Sequence, residues 1–217
     1  MLPKVVLVLT IFILLALGIG CKAPAPEIEP EPSGNARTTE LSHAKPYRVL
    51  GEGNVANEKE DRTVGLWFIV SEDATGFKEY AQTAIQAVRD LYRLYGRDHT
   101  SVLLIPNDKL RYAGMSYAQA SYAADGKGAL GMTGSAPAVE MYWKVRAADR
   151  PFTEQELAIA ELWSEKMPDF PSKNPLSSLS YDEEALRQYV ADTLNISDAE
   201  VSFPQINYRE YDHDERL

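Results

Sequence analysis

The sequence predicts a mixed domain of the α/β or α+β class, in which a small mixed sheet carries a packed crossover helix and two further helices follow. A long amphipathic pattern over residues 77–95 lies between two apolar strand patterns, residues 63–71 and residues 100–105. A strand, a helix and a strand in this order form a crossover unit with the helix laid on the sheet. Two S/T-x-x-E capping boxes nearer the C-terminus mark the starts of the two later helices.

The strands are predicted from apolar and β-branched runs that end at turn residues. Residues 47–50 form a short candidate, and residues 63–71 (TVGLWFIVS) form the strongest one, apolar enough to be central. Residues 100–105 form a further buried strand before a Pro-Asn-Asp turn. Residues 115–123 fit a helix or a strand, and the turn that follows favours a strand. Residues 139–145 alternate as a strand does.

The helices are predicted from spacing and from their caps. In residues 77–95 apolar side chains recur at intervals of three and four, and a glycine stands where the C-terminal cap belongs. The capping boxes that begin with Thr153 and Ser180 predict helices over residues 153–167 and residues 180–194.

Residues 1–20 have the layout of a secretory signal peptide. Lys4 is the only charged side chain among them, and residues 5–17 form an apolar run that small residues and Cys21 follow. The run is shorter than the ~20 apolar residues that a comfortable transmembrane helix needs. Cys21 is the only cysteine of the 217-residue chain, so no intrachain disulfide is possible. We therefore expect an exported protein from which residues 1–20 are removed.

The segment LGIGC that ends at Cys21 resembles the lipobox of bacterial lipoproteins, in which a small residue precedes a lipidated cysteine. Gly18 stands where that family usually has an aliphatic residue, and an ordinary cleaved signal or an uncleaved N-terminal anchor are the alternatives. The resemblance implies a diacylglycerol on Cys21 and a lipid-anchored protein of the cell envelope that faces the periplasm. Lys22 stands where an Asp tends to retain such proteins at the inner membrane, which favours the outer membrane.

The rest of the chain divides by composition. Residues 21–46 contain five prolines and little to bury, which predicts a lipidated, semi-stiff tether. Residues 47–211 have the size of a single globular domain, and we expect residues 212–217 to be a solvated acidic tail. In its order of elements the mature domain resembles small α/β domains of uncharacterised bacterial lipoproteins, a likeness that carries no functional residue.

The charge of the chain bears on its partners. The sequence has 22 basic and 32 acidic residues, with a formal net charge of −10. Because nucleic-acid affinity rests largely on Lys and Arg that neutralise phosphates, we expect no nucleic-acid partner. The expected partners are a membrane, reached through the lipid anchor, and an envelope protein or the cell wall.

The sequence motifs identify no catalytic, cofactor or metal site. Residues 126–131 contain G-x-G-x-x-G, but no helical pattern follows, so we expect a flexible loop over residues 126–134 and no cofactor. Residues 212–215 offer four adjacent metal-ligand residues without a preorganised shell, and neither C-x-x-C nor H-E-x-x-H occurs, so we expect no metal. A Ser-His-Asp hydrolase would have to use His99, and the sequence has no G-x-S-x-G elbow.

The aromatic residues offer the one candidate surface. Tyr117, Tyr122, Tyr142 and Trp143 surround the glycine-rich loop in sequence, and Tyr and Trp are enriched at interface hot spots. The alternative is that these rings fill one side of the sheet. We expect a non-catalytic binding or interaction module, and the alternative is a lipid-anchored periplasmic hydrolase that uses two facing carboxylates.

Overall fold

The computed structural model describes residues 40–53, 62–128, 141–172 and 181–217. Within these ranges the strands form one six-stranded sheet whose order follows the chain. The parallel pair is β2 with β3, and every other neighbouring pair is antiparallel. The predicted mixed α/β fold is therefore confirmed. The strands are β1 (Arg48–Gly53), β2 (Val64–Val70), β3 (His99–Leu104), β4 (Ala118–Ala123), β5 (Trp143–Ala148) and β6 (Tyr208–Glu210).

The crossover helix α1 (Phe77–Tyr95) joins β2 to β3 and has the predicted bounds. It ends at Gly96, which adopts the left-handed conformation with φ 58° and donates its N–H to the Tyr92 carbonyl. The apolar side of α1 packs against β3, β4 and β5, where it forms the main core with one face of the sheet. The other face of the sheet carries no helix from the described part of the chain at its centre.

The predicted strands are confirmed within a few residues, and the ambiguous residues 115–123 contain β4. The strand predicted over residues 139–145 begins only at Trp143 and continues to Ala148. Residues 139 and 140 lie outside the described ranges. The sequence interpretation missed β6, which has three residues and owes its strand conformation to pairing with β5 rather than to an apolar run.

Two later helices follow, as predicted. Helix α2 (Glu154–Lys166) begins with the predicted capping box, in which the Thr153 hydroxyl accepts from the Glu156 N–H at 3.2 Å. Helix α3 (Glu183–Leu194) is capped by Asp182, whose carboxylate accepts from the Ala185 N–H at 3.2 Å. The prediction of a Ser180 cap is therefore wrong, because the extended residue directly before the first turn is an aspartate. Ser180 itself lies outside the described ranges.

Helices α2 and α3 pack on each other beside one end of the sheet. Ile159 and Trp163 of α2 meet Leu186 and Val190 of α3 in a small second core. On its other side α2 packs against a short 3-10 turn that follows β3 (Asp108–Leu110). The two helices therefore adjoin the edge where β3 and β5 end.

Residues 212–217 fold back onto the protein. The Glu215 carboxylate pairs with the Arg89 guanidinium of α1, and the Trp143 indole N–H donates to the Glu215 carbonyl. The His213 side chain is 1% exposed and meets the Trp143 ring edge-on at 4.7 Å. The expectation of a solvated tail is therefore wrong for His213 and Glu215, because the Glu215 carboxylate pairs with the buried Arg89, whereas Asp212, Asp214 and Arg216 are exposed.

Candidate functional site

The candidate site is a pocket at the centre of the sheet face that α1 leaves uncovered. Side chains alternate along a strand, so the residues between the core positions of β2 to β5 project from this face. They enclose a concavity of about 260 Å³. We call it the sheet pocket, and it is lined on this face by Leu66, His99, Ser101, Leu103, Gln119, Ser121, Lys144 and Arg146.

The sheet pocket is built from two rows of residues that are neighbours across the strands. One row runs from β2 to β5 through Leu66, Ser101, Ser121 and Lys144. The second row runs parallel to it through Phe68, Leu103, Gln119 and Arg146, and continues to Glu210 on β6. Adjacent strands lie ~4.8 Å apart, so β2 and β5 are separated by roughly 14 Å. The lining therefore changes from apolar at β2, through hydroxyl and amide groups, to cationic at β5.

The Arg146 side chain is held in place by its neighbours. Its Nε donates to Gln119 Oε1 at 2.9 Å, and its guanidinium lies 5.0 Å from the centre of the Tyr208 ring. The Tyr208 hydroxyl in turn donates to the Ser116 carbonyl at 2.8 Å. These contacts fix the orientation of the guanidinium beside the pocket.

The two cations of the sheet pocket have no counter-ion among the described residues. Glu210 is the register partner of Arg146 on β6, yet no ion pair joins these two described side chains. Lys144 is exposed and likewise pairs with no described carboxylate. Arg111 and Arg150, by contrast, are each paired with an acid within 3 Å. Among the described residues, the pocket therefore carries two positive charges without an ion-pair partner, on a chain that is acidic as a whole.

His99 lies at the start of β3, one residue before the strand that the sequence predicts over residues 100–105. It is 1% exposed, its Nδ1 is 3.5 Å from the Ser101 hydroxyl, and its Nε2 has no hydrogen-bond partner among the described residues. Burial, with the nearby Arg62 charge, lowers the pKa of His99 to about 4, so the ring is neutral at pH 7. No described acid bonds to this imidazole, so the Ser101 and His99 pair differs from a Ser-His-Asp triad.

The four aromatic residues predicted as a binding surface lie on the opposite face of the sheet, which α1 and the C-terminal residues cover. Tyr117 stacks on Tyr80 of α1 with ring centres 4.5 Å apart. Tyr122 is 2% exposed and packs between the half-buried Tyr142 and Trp143. These four rings therefore fill one side of the sheet, as the alternative interpretation of the sequence predicts. A role for them in partner binding stays a prediction.

The glycine-rich loop begins with a turn that an ion pair holds. Gly126 and Gly128 have φ values of 67° and 77°, which only glycine adopts readily. Arg62 pairs with Asp125 at 2.8 Å and also reaches the Gly128 carbonyl at 3.4 Å. The rest of the predicted loop, residues 129–134, lies outside the described ranges. A function for this loop stays a prediction.

A second concavity of about 370 Å³ lies beside α2. We call it the aromatic cleft, and it is lined mainly by Tyr112, Trp163, Met167, Tyr181 and Phe203, with Lys109 at its rim. The Lys109 ammonium pairs with Glu161 at 2.8 Å, so its charge is neutralised. The aromatic cleft is therefore apolar, whereas the sheet pocket is the cationic concavity.

The carboxyl groups bear on the hydrolase alternative. Among the described residues, every carboxyl group with a displaced pKa has a lowered one, because N–H, hydroxyl or cationic donors stabilise its charged form. A glycosidase-type acid needs a raised pKa, so these groups give that alternative no support. No three His, Cys, Asp or Glu residues of the described ranges cluster as metal ligands. The carboxyl groups with a lowered pKa are Glu79, Asp98, Glu156 and Glu200.

The sequence analysis did not predict the sheet pocket, although the alternation of polar and apolar residues in the strands is a signal for it. Gln119 and Ser121, and Lys144 and Arg146, alternate with apolar residues inside segments predicted as strands. That alternation predicts a polar face on each strand. Strand order and register, which bring the faces together, are not visible in one sequence.

The protein is therefore an α/β domain in which α1 covers one face of the sheet and the other face, which we call the open face, carries a cationic concavity. A family model described as "Domain of unknown function (DUF4875)" matches residues 42–206, and the chain belongs to this family. The chain is also similar in fold to a solved structure, a DUF487 family protein from Desulfovibrio piger ATCC 29098. The two share 22% identity with a TM-score of 0.58, over 78% of this chain and 96% of that one. The comparison with curated proteins finds no match.

Proposed function

We propose that this protein is a non-catalytic binding module of the cell envelope and that it binds its partner through the open face of the sheet. The observation that carries the proposal is a pair of cations, Lys144 and Arg146, that form no ion pair with a described residue and lie beside a concave polar pocket. The chain has a net charge of −10, so an exposed cationic concavity is a local exception to its surface charge. Such a concavity attracts negative charge and orients an approaching partner.

The proposal includes a lipid anchor at Cys21 in the outer membrane. The signal-like residues 1–20, the lipobox-like segment and the proline-rich tether support it. Within the described ranges, no helix has the length and apolarity that a membrane crossing requires.

The attachment of the domain to its tether is compatible with an accessible open face. The backbone N–H of His43 donates to Gln82 Oε1 at 2.8 Å, and that of Lys45 donates to Thr83 Oγ1 at 2.9 Å. Residues 40–46 therefore pack along α1 rather than extending freely as the predicted tether does. Because α1 covers the opposite face of the sheet, the chain enters the domain on the side away from the sheet pocket.

The anchor is tested by metabolic labelling with palmitate. We expect the wild-type chain and an Asn35→Ala control in the tether to incorporate the label, and Cys21→Ala to incorporate none. Labelling of Cys21→Ala at the wild-type level would contradict the anchor.

The binding face is tested by photo-crosslinking in intact cells. A benzoylphenylalanine at position 121 replaces a half-exposed serine in the sheet pocket, and the same group at position 78 replaces an exposed lysine of α1. We expect a discrete envelope adduct from position 121 and none from position 78. Adducts that are equal at both positions, or that form only at position 78, would contradict the proposed face.

A further inference from the structure

We infer that the sheet pocket binds a small carboxylate that carries a short apolar body. This inference rests on the proposed function, since it names the chemistry that the open face recognises. The ligand chemistry occurs both in free short-chain carboxylates and at the C-terminus of a peptide that ends in an apolar residue.

The cationic end of the pocket fits a carboxylate. Gln119 occupies the Nε of Arg146, and the Nη atoms of this guanidinium have no partner among the described residues. A guanidinium held in this way presents two parallel N–H donors, which match the two oxygens of a carboxylate. Lys144 precedes Arg146 by two residues on β5, so it projects from the same face and adds a second positive charge.

The middle of the pocket offers further donors that are only weakly engaged. The Ser121 hydroxyl is 3.5 Å from the Lys144 carbonyl, and the Ser101 hydroxyl is 3.5 Å from His99 Nδ1. Both distances lie beyond the usual range for hydroxyl hydrogen bonds, so both hydroxyls are available to a bound oxygen. The buried Nε2 of His99 is also without a partner in the described part of the chain.

The β2 end of the pocket selects against a bare inorganic anion. Leu66 and Leu103 are half-buried there, and roughly 14 Å of sheet separates β2 from the cations of β5. Leu103 of β3 lies only two strands, roughly 10 Å, from Arg146 of β5, so a small ligand can bury an apolar body near Leu103 while its carboxylate meets Arg146. The volume of about 260 Å³ is below the usual range for drug-sized ligands, so the ligand is small.

Glu210 is the charge that opposes such a ligand. It faces Arg146 across the β5–β6 pair and is exposed. Removing its charge raises the local positive potential without removing any donor from the pocket. The Glu210→Gln variant therefore changes affinity in the opposite direction to the loss of a cation.

The test is a titration of the isotope-labelled protein followed by amide NMR shifts. The probe is N-acetyl-leucine, and N-acetyl-leucinamide is the control that keeps the apolar body and removes the charge. Acetate, inorganic phosphate and hexanoate complete the set. We expect N-acetyl-leucine to shift the amides of β3, β4 and β5 saturably, and the amide, acetate and phosphate to bind at least roughly tenfold more weakly. Saturable binding of hexanoate as well identifies free carboxylates as a source, and exclusive binding of N-acetyl-leucine identifies peptide C-termini.

The variants separate the pocket from general charge effects. We expect Lys144→Gln and Arg146→Gln each to weaken N-acetyl-leucine binding roughly tenfold or more, and Glu210→Gln to tighten it. Lys78→Gln on the exposed surface of α1 is the matched control and leaves the affinity unchanged. The amide spectra of the unliganded variants report whether each remains folded.

Equal binding of N-acetyl-leucine and its amide overturns the inference, and so does an affinity that neither cation variant changes. An absence of saturable shifts also overturns it. Crosslinking from position 121 to an envelope partner would in that case still support the proposed binding face, so the two failures are distinguishable.

Discussion

Glu215→Gln is expected to destabilise the fold strongly, because it removes the counter-ion of a buried arginine. Arg89 lies on α1 with 4% of its surface exposed, and the Glu215 side chain that pairs with it is 12% exposed. Both charges therefore lie outside bulk water. Glutamine keeps the size of the side chain and one acceptor, but it removes the negative charge that pairs with the buried guanidinium.

The expected loss follows from what such buried charges cost. Removal of one partner from a buried ion pair typically costs 3–5 kcal/mol, because the remaining charge is left uncompensated. Since glutamine still accepts a hydrogen bond, we expect the lower end of that range, about 3 kcal/mol. Against a total stability of about 5–15 kcal/mol, this is a large fraction.

Urea unfolding of the purified protein measures this effect. The matched control is Glu210→Gln, which removes the same charge from an exposed residue that has no described ion pair. We expect a markedly lower urea midpoint for Glu215→Gln, an unchanged slope, and a nearly wild-type midpoint for Glu210→Gln. The double variant Arg89→Met with Glu215→Gln should recover part of the lost stability, since it also removes the buried guanidinium charge. Equal midpoints for Glu215→Gln and Glu210→Gln would refute the reasoning.

Three further changes have expected outcomes. Gly65→Ala should destabilise by about 1–3 kcal/mol in a thermal melt, because an added Cβ would lie 1.8 Å from the ring of Trp67, and an unchanged melting temperature would count against the packing. Burial lowers the pKa of both His99 and His213 to about 4. Between about pH 6.5 and pH 4 these histidines are therefore protonated in the unfolded chain but neutral in the folded one. Stability should therefore fall as the pH drops from about 6.5 to about 4, by roughly 3 kcal/mol per histidine at most, and replacing both with Gln should flatten that part of a stability profile. Thr153→Ala removes a side chain of the α2 capping box and should cost about 1 kcal/mol in urea unfolding, whereas Thr153→Ser should retain wild-type stability.

Helix α1 could be predicted from the sequence because its determinants are local. Apolar residues at helical spacing define its buried face, and Gly96 supplies the left-handed residue that ends it. The neighbouring strands β2 and β3 are apolar runs with clear ends, so their parallel pairing through the crossover follows from chain topology.

The sheet pocket and the packed tail could not be predicted, because both depend on contacts between distant residues. Lys144 and Ser101 are neighbours of the same row only through the register of three strands. Glu215 packs inward because it pairs with Arg89, which is buried on α1. A buried arginine usually has such a partner, but the sequence does not show which residue provides it. The Asp182 cap of α3 was within reach of the sequence, since aspartate is as good an N-cap as serine.

The most direct test of the proposed binding face is a crosslinking pull-down from intact cells with charge-reversed variants. Lys144→Glu places a negative charge in the sheet pocket, and Lys78→Glu places the same charge on the exposed surface of α1. We predict one enriched envelope partner with the wild-type protein and with Lys78→Glu, and its loss with Lys144→Glu. A partner that Lys144→Glu retains in full, or that Lys78→Glu loses instead, would contradict binding through the open face of the sheet.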